Sequence, residues 1–309
     1  MILCVNPNAA IDKTVIVRSF QLDEIHRPEQ VMAFPGGKGC NVARALNTLG
    51  EQPVVTGWIG GGAGQFIESG LHREGIATAF IETDFESRTC LSILDPDRNT
   101  LTEIYEKGEP VPPEQVEALK IRFREVVGTC AAVTFSGSLP AGVPVDFYAQ
   151  LIAIAREAGV LAMLDSSGEA LRLGVAAGPD LIKPNKKEFN DLAQRALVSL
   201  NDYAAAASDI SARCGAVVVL SLGPDGALAA RGSHVLHARP PQVDAKSAVG
   251  SGDCMLAGLT YGLTHGFGLE DALRYGVAAG TANTLRLGAG NFTLEDFERI
   301  RPGVTIVRY

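Results

Sequence analysis

The sequence predicts an α/β protein in which a mostly parallel central sheet is covered by helices, with a small β-sheet set apart as a lid. From about residue 110 onward, short apolar runs alternate with segments of helical period. That is the pattern of βαβ units around one large core. Runs such as Val217-Val218-Val219-Leu220 are continuous rather than alternating, which suits strands buried on both faces of a parallel sheet. Residues 12–35 and 88–107 break the rhythm, reading as strand and turn with little helical period.

Taken in order, "MILCVNPNAA" opens with a four-residue apolar run without a basic flank, far short of a signal-peptide core. "KTVIVRSF" and "QVMAF" are the first strands of the small sheet. "FPGGKGCNVARALNTLG" is a glycine turn before a helix that buries Val42, Ala45, Leu46 and Leu49. "RTCLSIL", "DPDRN" and "TLTEIYE" read as strand, turn and strand, with strong turn chemistry over Asp95–Asn99. An uncovered lid sheet exposes edges and one apolar face, so a homodimer through it is expected. "AAVTFSGSL" is a strand, and "VDFYAQLIAIAREAG" a helix with Phe147, Leu151, Ile154 and Ala155 on one face. "VLAMLD", "LIKPN" and "AVVVLSLG" are further strands. Residues 245–249 then lead from the 217–222 strand into "VGSGDCMLAGL", a glycine turn opening a helix.

The chain has 309 residues with 27 basic and 35 acidic side chains, a formal charge of -8. A net negative surface argues against nucleic-acid and anionic-membrane partners, which need a basic face. No stretch approaches the ~18 apolar residues of a membrane span. Six cysteines and five histidines are scattered without zinc or disulfide spacing, which points to a reducing, cytoplasmic compartment.

Several stretches carry chemistry. Gly250-Ser251-Gly252 precedes Asp253 at a helix start, where unpaired N–H groups and the positive dipole end bind anions. The alternative is an ordinary helix with an acidic first turn. Gly36-Gly37-Lys38-Gly39 precedes Asn41, so Asn41 could meet a ligand hydroxyl and Lys38 a phosphate; the alternative is a loop packed tightly against a sheet, with Lys38 merely solvated. Asn185 and Glu188 have capping-box spacing, and the functional alternative is Glu188 holding Mg²⁺-bound water. Ser221, Gly223 and Gly226 follow a buried strand, at the carboxyl end where open α/β sheets bind ligands. Gly60–Gly64 lacks the spacing of a dinucleotide fingerprint.

With "VNPNAAIDKTV", "GGKGCNVARAL", "RTCLSILD", "FSGSLPAGVP", "DSSGEAL", "IKPNKKEF", "SLGPDGAL" and "VGSGDCMLAG" in order, the chain resembles the PfkB family of carbohydrate kinases. The likeness is strongest to the 1-phosphofructokinase and tagatose-6-phosphate kinase subgroup. The resemblance implies a ribokinase-like three-layer α/β/α sandwich over 1–309, with the lid from about 12–35 and 88–107. It implies ATP-dependent phosphorylation of a ketohexose monophosphate, with Mg²⁺ and a monovalent cation.

By the same resemblance Asp253 is the base, and the amides of Gly250, Ser251 and Gly252 form the anion hole. Asp12, Gly37, Asn41 and Ser138 contact sugar hydroxyls, and Lys38 and Arg88 clamp the substrate phosphate. Asn185 and Glu188 form the N-x-x-E magnesium and phosphate motif, and Lys183, Ser221, Gly223, Gly226 and Asn283 line the nucleotide. The chain departs from the subgroup at Ser251 and Cys254 in "GSGDC", at Cys40, and at Cys90 and Tyr105 on the lid strands. The competing expectations are a kinase of a free sugar or nucleoside, and a regulator that binds without turnover. Asp253 at a helix start is expected to stay ionised at neutral pH.

Overall fold

The computed structural model describes all 309 residues. At its centre is a ten-stranded sheet. Its parallel strands, in spatial order, are Ala77–Thr78, Pro53–Thr56, Ile2–Val5, Ala132–Ser136, Leu161–Asp165, Leu181–Ile182 and Val217–Ser221. An antiparallel extension, Ala227–Arg231, His234–Arg239 and Thr305–Arg308, continues beyond Val217–Ser221. The α/β class and mostly parallel sheet expected from the sequence are what the chain forms.

Alternate residues of each strand feed opposite cores. Ile2 and Cys4 join a core of 38 buried residues shared with the helices Lys38–Thr48, Ser251–Thr264 and Leu269–Thr284. Leu3 and Val5 join one of 35 with the helices Pro113–Val127, Phe147–Glu157 and Leu200–Cys214. The two faces are covered almost equally, which is why the strands need apolar residues at every position. In Phe147–Glu157 the buried face comprises Phe147, Tyr148, Leu151, Ile152 and Ala155. Ile154, expected on that face, is only half-buried.

Four strands form a second sheet in the order Gln30–Gly36, Ala10–Ile16, Arg88–Asp95, Thr100–Tyr105. The buried carboxylate of Asp95 accepts the N–H groups of Ser19, Phe20 and Asp97, so the Asp95–Asn99 turn also anchors the 19–20 segment.

The sequence pattern leads from the 217–222 strand directly to residues 245–249, whereas the structure places the hairpin Ala227–Arg231 and His234–Arg239 between them. Ala227-Leu228-Ala229-Ala230 has helical propensity, but its place between two strands at the heart of the sheet overrides that weak preference. No helix is long and apolar enough to cross a membrane.

The chain begins at Ile2–Val5, winds outward on one side through Pro53–Thr56, then returns to the other side at Ala132–Ser136. Strand order therefore reverses between Ile2–Val5 and Ala132–Ser136. Open α/β sheets bind ligands outside the carboxyl ends at such a switch point.

Candidate active site

A cleft of about 770 Å³ lies at that switch point, between the carboxyl ends of the parallel strands and the small sheet. Asn6, Asn8, Ser136 and Ser138, which end or follow the two switch-point strands, line it. A larger hollow of about 900 Å³ lies at the amino ends of the strands. Its Arg156 and Arg213 occupy the last turns of their helices, where a cation favourably meets the dipole. Its one acid, Asp180, accepts the N–H of Ala162 at 2.8 Å.

The glycine turns follow from what packs beneath them. Gly37 has φ +93, and a Cβ there would lie 2.6 Å from the side chain of Asn6. A Cβ on Gly39 would lie 2.5 Å from Asn6 Cβ. Asn6 in turn accepts the N–H of Gly39 and donates to the carbonyl of Gly36. The turn is thus folded onto a buried asparagine that the sequence reading did not single out.

Gly250 caps the helix Ser251–Thr264 with φ +79. The N–H of Ser251 donates to the carbonyl of Ala248 at 3.2 Å. The N–H groups of Gly250, Gly252 and Asp253 have no acceptor within the protein. The free donors at this helix start are therefore those of 250, 252 and 253, a correction to the expected 250–252 set.

Asp253 is 6 % exposed and its carboxylate belongs to the cleft wall. Oδ2 accepts Nδ2 of Asn41 at 2.8 Å. Burial pushes its pKa up to about 6, against the opposing pull of Lys38. The helix-start field alone would keep the acid at its ordinary value or below; desolvation outweighs it.

Two lysines complete this end. Asp165, at the end of its strand, lies 2.9 Å from Nζ of Lys183 and 3.3 Å from Nζ of Lys38. Asp165 and Lys183 are buried. A Cβ on Gly252 would sit 3.3 Å from Nζ of Lys183, so this ammonium adjoins the free amides. Asp165, with burial opposing and with Asp253 and Glu188 assisting, raises the pKa of Lys38. Lys38 thus stands at the Asp253 end of the cleft. Arg88 stands at the small-sheet end and donates to the carbonyls of Asn8 and Glu106. Its Nε is buried and has no acceptor in the protein.

On the small sheet, burial raises the pKa of Asp12, opposed by the N–H of Gly37 at 3.4 Å. Cys90 and Tyr105 are cross-strand partners that both line the cleft. Burial pushes the Cys90 thiol up to about 11, so it stays protonated. At the opposite edge Asn185 and Glu188 form a full capping box on the helix Lys186–Ala193. Both still line the cleft, as do Lys183 and Ser221.

The sequence pattern of the pfkB family of carbohydrate kinases matches residues 6–296. The chain belongs to that family. It is 31% identical over 310 residues to the tagatose-6-phosphate kinase of Staphylococcus epidermidis, covering 99% of both chains. It is 34% identical over 278 residues to the 1-phosphofructokinase of Rhodobacter capsulatus, covering 90% of this chain and 88% of that one. The solved structure of phosphofructokinase-2 from Escherichia coli in complex with substrates and products superposes with a TM-score of 0.91 at 32% identity, covering 98% of both.

A carbohydrate kinase implies ATP and Mg²⁺, and the residues present fit the ion. Oε2 of Glu188 accepts the N–H of Asn185 at 2.8 Å, which leaves its second oxygen for a ligand. Asp165 faces two ammonium groups. Mg²⁺ keeps its waters and binds through one or two carboxylates plus substrate phosphates, so one open carboxylate oxygen on Glu188 fits it.

Some expected contacts of the kinase lie elsewhere. Asn283 is fully buried. It donates to the Val249 carbonyl and Ser251 Oγ and accepts from the N–H of Asn291, so it braces the glycine turn and is off the cleft wall. Ser251 is likewise off the wall. Gly223 and Gly226 are also off the wall; their chain neighbours Leu222, Pro224 and Asp225 line an adjoining hollow of about 590 Å³ with Lys186. A Cβ on Gly226 would strike the Ala238 carbonyl at 2.0 Å, which is reason enough for the glycine. Gly60–Gly64 opens the helix Gly61–Arg73, whose N–H groups at Gly62 and Ala63 are taken by Glu86. The protein's own carboxylate fills that anion position.

Proposed function

We propose that this kinase transfers the γ-phosphoryl group of ATP to a hydroxyl of a ketohexose monophosphate: fructose 1-phosphate, tagatose 6-phosphate or fructose 6-phosphate. The observation that carries the reading is the convergence on one cleft of the Asp253 carboxylate, amides without an acceptor, and the Arg88 side chain. A base and an anion hole suit phosphoryl transfer, and a guanidinium on the cleft wall suits a second phosphate on the acceptor.

In the reaction the acceptor oxygen forms a bond to the γ-phosphorus as the bridging P–O bond to ADP breaks. Asp253, largely ionised at neutral pH, takes the hydroxyl proton as the hydroxyl acidifies during attack. The free amides of 250, 252 and 253, with Lys183 and Lys38, balance the charge that gathers on the transferring group. Losing one such donor typically costs about 3–4 kcal/mol of transition-state stabilisation. Glu188 would hold Mg²⁺ through its waters, and the ion would neutralise the phosphate oxygens. Asp12, Gly37, Ser138 and Asn41 face the acceptor, and Lys183, Asn185 and Ser221 the nucleotide. The four-stranded sheet acts as a lid that keeps water from competing for the phosphoryl group.

Val31, Leu101 and Ile104 are exposed apolar residues on the edge strands of that sheet, which supports a homodimer through it. Ile104→Lys should convert a dimeric elution volume to a monomeric one; an unchanged volume rejects the interface. All six cysteines are unpaired, in keeping with a cytoplasmic setting.

The test is product identification after incubation with ATP, Mg²⁺ and mixed ketohexose monophosphates, with free ketoses and nucleosides alongside, in potassium and again in tetramethylammonium. A ketohexose bisphosphate is the expected product, formed faster with potassium. Phosphorylation of free sugars alone, or none with ATP consumed by no acceptor, overturns the reading.

A further inference from the structure

We propose that Arg44 is a positioning residue for the base, fixing the Asn41 amide and through it the carboxylate of Asp253. The inference rests on Asp253 being the base.

Arg44 lies one helical turn beyond Asn41, with a side chain 12% exposed. Its guanidinium has five N–H groups, and five acceptors meet them. Nε and Nη2 fork the Glu74 carboxylate at 2.8 and 3.2 Å. Nη2 also donates to the Pro35 carbonyl at 2.8 Å. Nη1 donates to the Ala289 carbonyl at 2.9 Å and to Oδ1 of Asn41 at 3.3 Å. No donor is left for a ligand, and Arg44 does not line the cleft. Whatever it does for the reaction, it does through its neighbours.

An asparagine amide is nearly symmetric in shape, with a donor at one end and an acceptor at the other. A cation at Oδ1 decides between the two orientations. It obliges Nδ2 to face Asp253, where it donates at 2.8 Å. The flipped amide would set a carbonyl oxygen against the carboxylate. The Ala289 contact acts on the same centre from the other side, because Ala289 Cα lies where a Cβ on Gly250 would come within 2.7 Å. Arg44 therefore ties the root of the small sheet at Pro35 to the base and to the turn seating the free amides. Lysine offers three donors without the planar fork and would not replace it.

The test compares Arg44→Met, Asn41→Ala, the double variant, Glu74→Gln and Asp253→Asn with the parent enzyme, using ATP, Mg²⁺ and the ketohexose monophosphate turned over fastest. Arg44→Met should lower kcat roughly 10- to 100-fold with little change in either KM. It should also move the acid limb of kcat/KM upward by about half a pH unit or more, as Asn41→Ala does, because a hydrogen bond to the charged carboxylate is lost. Substrate phosphates titrate near pH 6 as well, but identically for every protein, so the displacement between variants is what is read.

The double variant should fall well short of the product of the two single losses, since Arg44 acts on the base only through Asn41. Glu74→Gln should shift the limb in the same direction by less, and it carries the test if Arg44→Met does not fold. Additive losses in the double variant, or a lowered thermal midpoint with an unmoved acid limb, overturn the positioning role alone. Near-normal turnover in Asp253→Asn overturns the base itself and the inference with it.

Discussion

Nζ of Lys183 lies 2.9 Å from Oδ2 of Asp165, with both side chains almost wholly withdrawn from solvent. Burial alone would raise the Asp165 pKa, but Lys183 and Lys38 outweigh it and hold the acid below the ordinary carboxylate value. A carboxyl lowered in this way stabilises the fold above its unfolded pKa, and the contribution is lost as pH falls through the folded value. Asp165→Asn leaves Lys183 buried without a counter-ion. The expected loss at pH 7 is on the order of 3–5 kcal/mol, read by denaturant unfolding and shrinking only in acid well below pH 4. A loss under about 1 kcal/mol would mean that the pair is not coupled as its geometry indicates.

Asp253 behaves in the opposite sense. Its pKa is raised to about 6 by burial, so charging it opposes folding progressively from its unfolded value near 4 up to about 6, and by a constant amount above. Asp253→Asn should lower turnover at least about a hundredfold. The same variant should unfold at a higher temperature than the parent at pH 7.5, an advantage that vanishes at pH 4. A lower midpoint at pH 7.5 would contradict the desolvation account.

For Arg88 the expected signature is selectivity. If its guanidinium meets a substrate phosphate, Arg88→Ala raises KM for the sugar phosphate by roughly 10-fold or more, the worth of a charge-assisted hydrogen bond. Any free ketose turned over slowly should be affected far less. Equal changes for both substrates would place the phosphate elsewhere.

Two neighbouring glycines should fail differently when replaced by alanine. Gly250→Ala forces a left-handed residue and a Cβ 2.7 Å from backbone, so stability should fall by about 2 kcal/mol or more. Gly252 is helical, and its Cβ would meet only the end of the flexible Lys183 side chain at 3.3 Å. Gly252→Ala should therefore fold normally, within about 1 kcal/mol of the parent, yet lose at least about tenfold in kcat as the methyl crowds the anion hole. Calorimetry and steady-state kinetics on the pair separate the two effects, and matching defects would refute the distinction.

Much of the architecture was legible in the chain. Continuous apolar strands, glycine turns before helices and the Asp95–Asn99 turn are local signals, fixed by backbone sterics and by the need to bury alternate or successive side chains. The capping box of Asn185 and Glu188 is a spacing of three residues and forms as its spacing implies. The Ala227–Arg231 strand was not legible, because alanine favours a helix until two flanking strands supply its hydrogen bonds.

Residue order alone sets the α/β layering and puts an acid at the start of the Ser251–Thr264 helix. The ionisation of that acid and the groups around it come from the fold. Asn41 and Asp253 are 212 positions apart, and Lys38 and Asp165 are 127 apart. Desolvation and Coulomb interaction depend on burial and distance through space. Nothing in the order of residues encodes those quantities until the strands return to one switch point and bring the charges together.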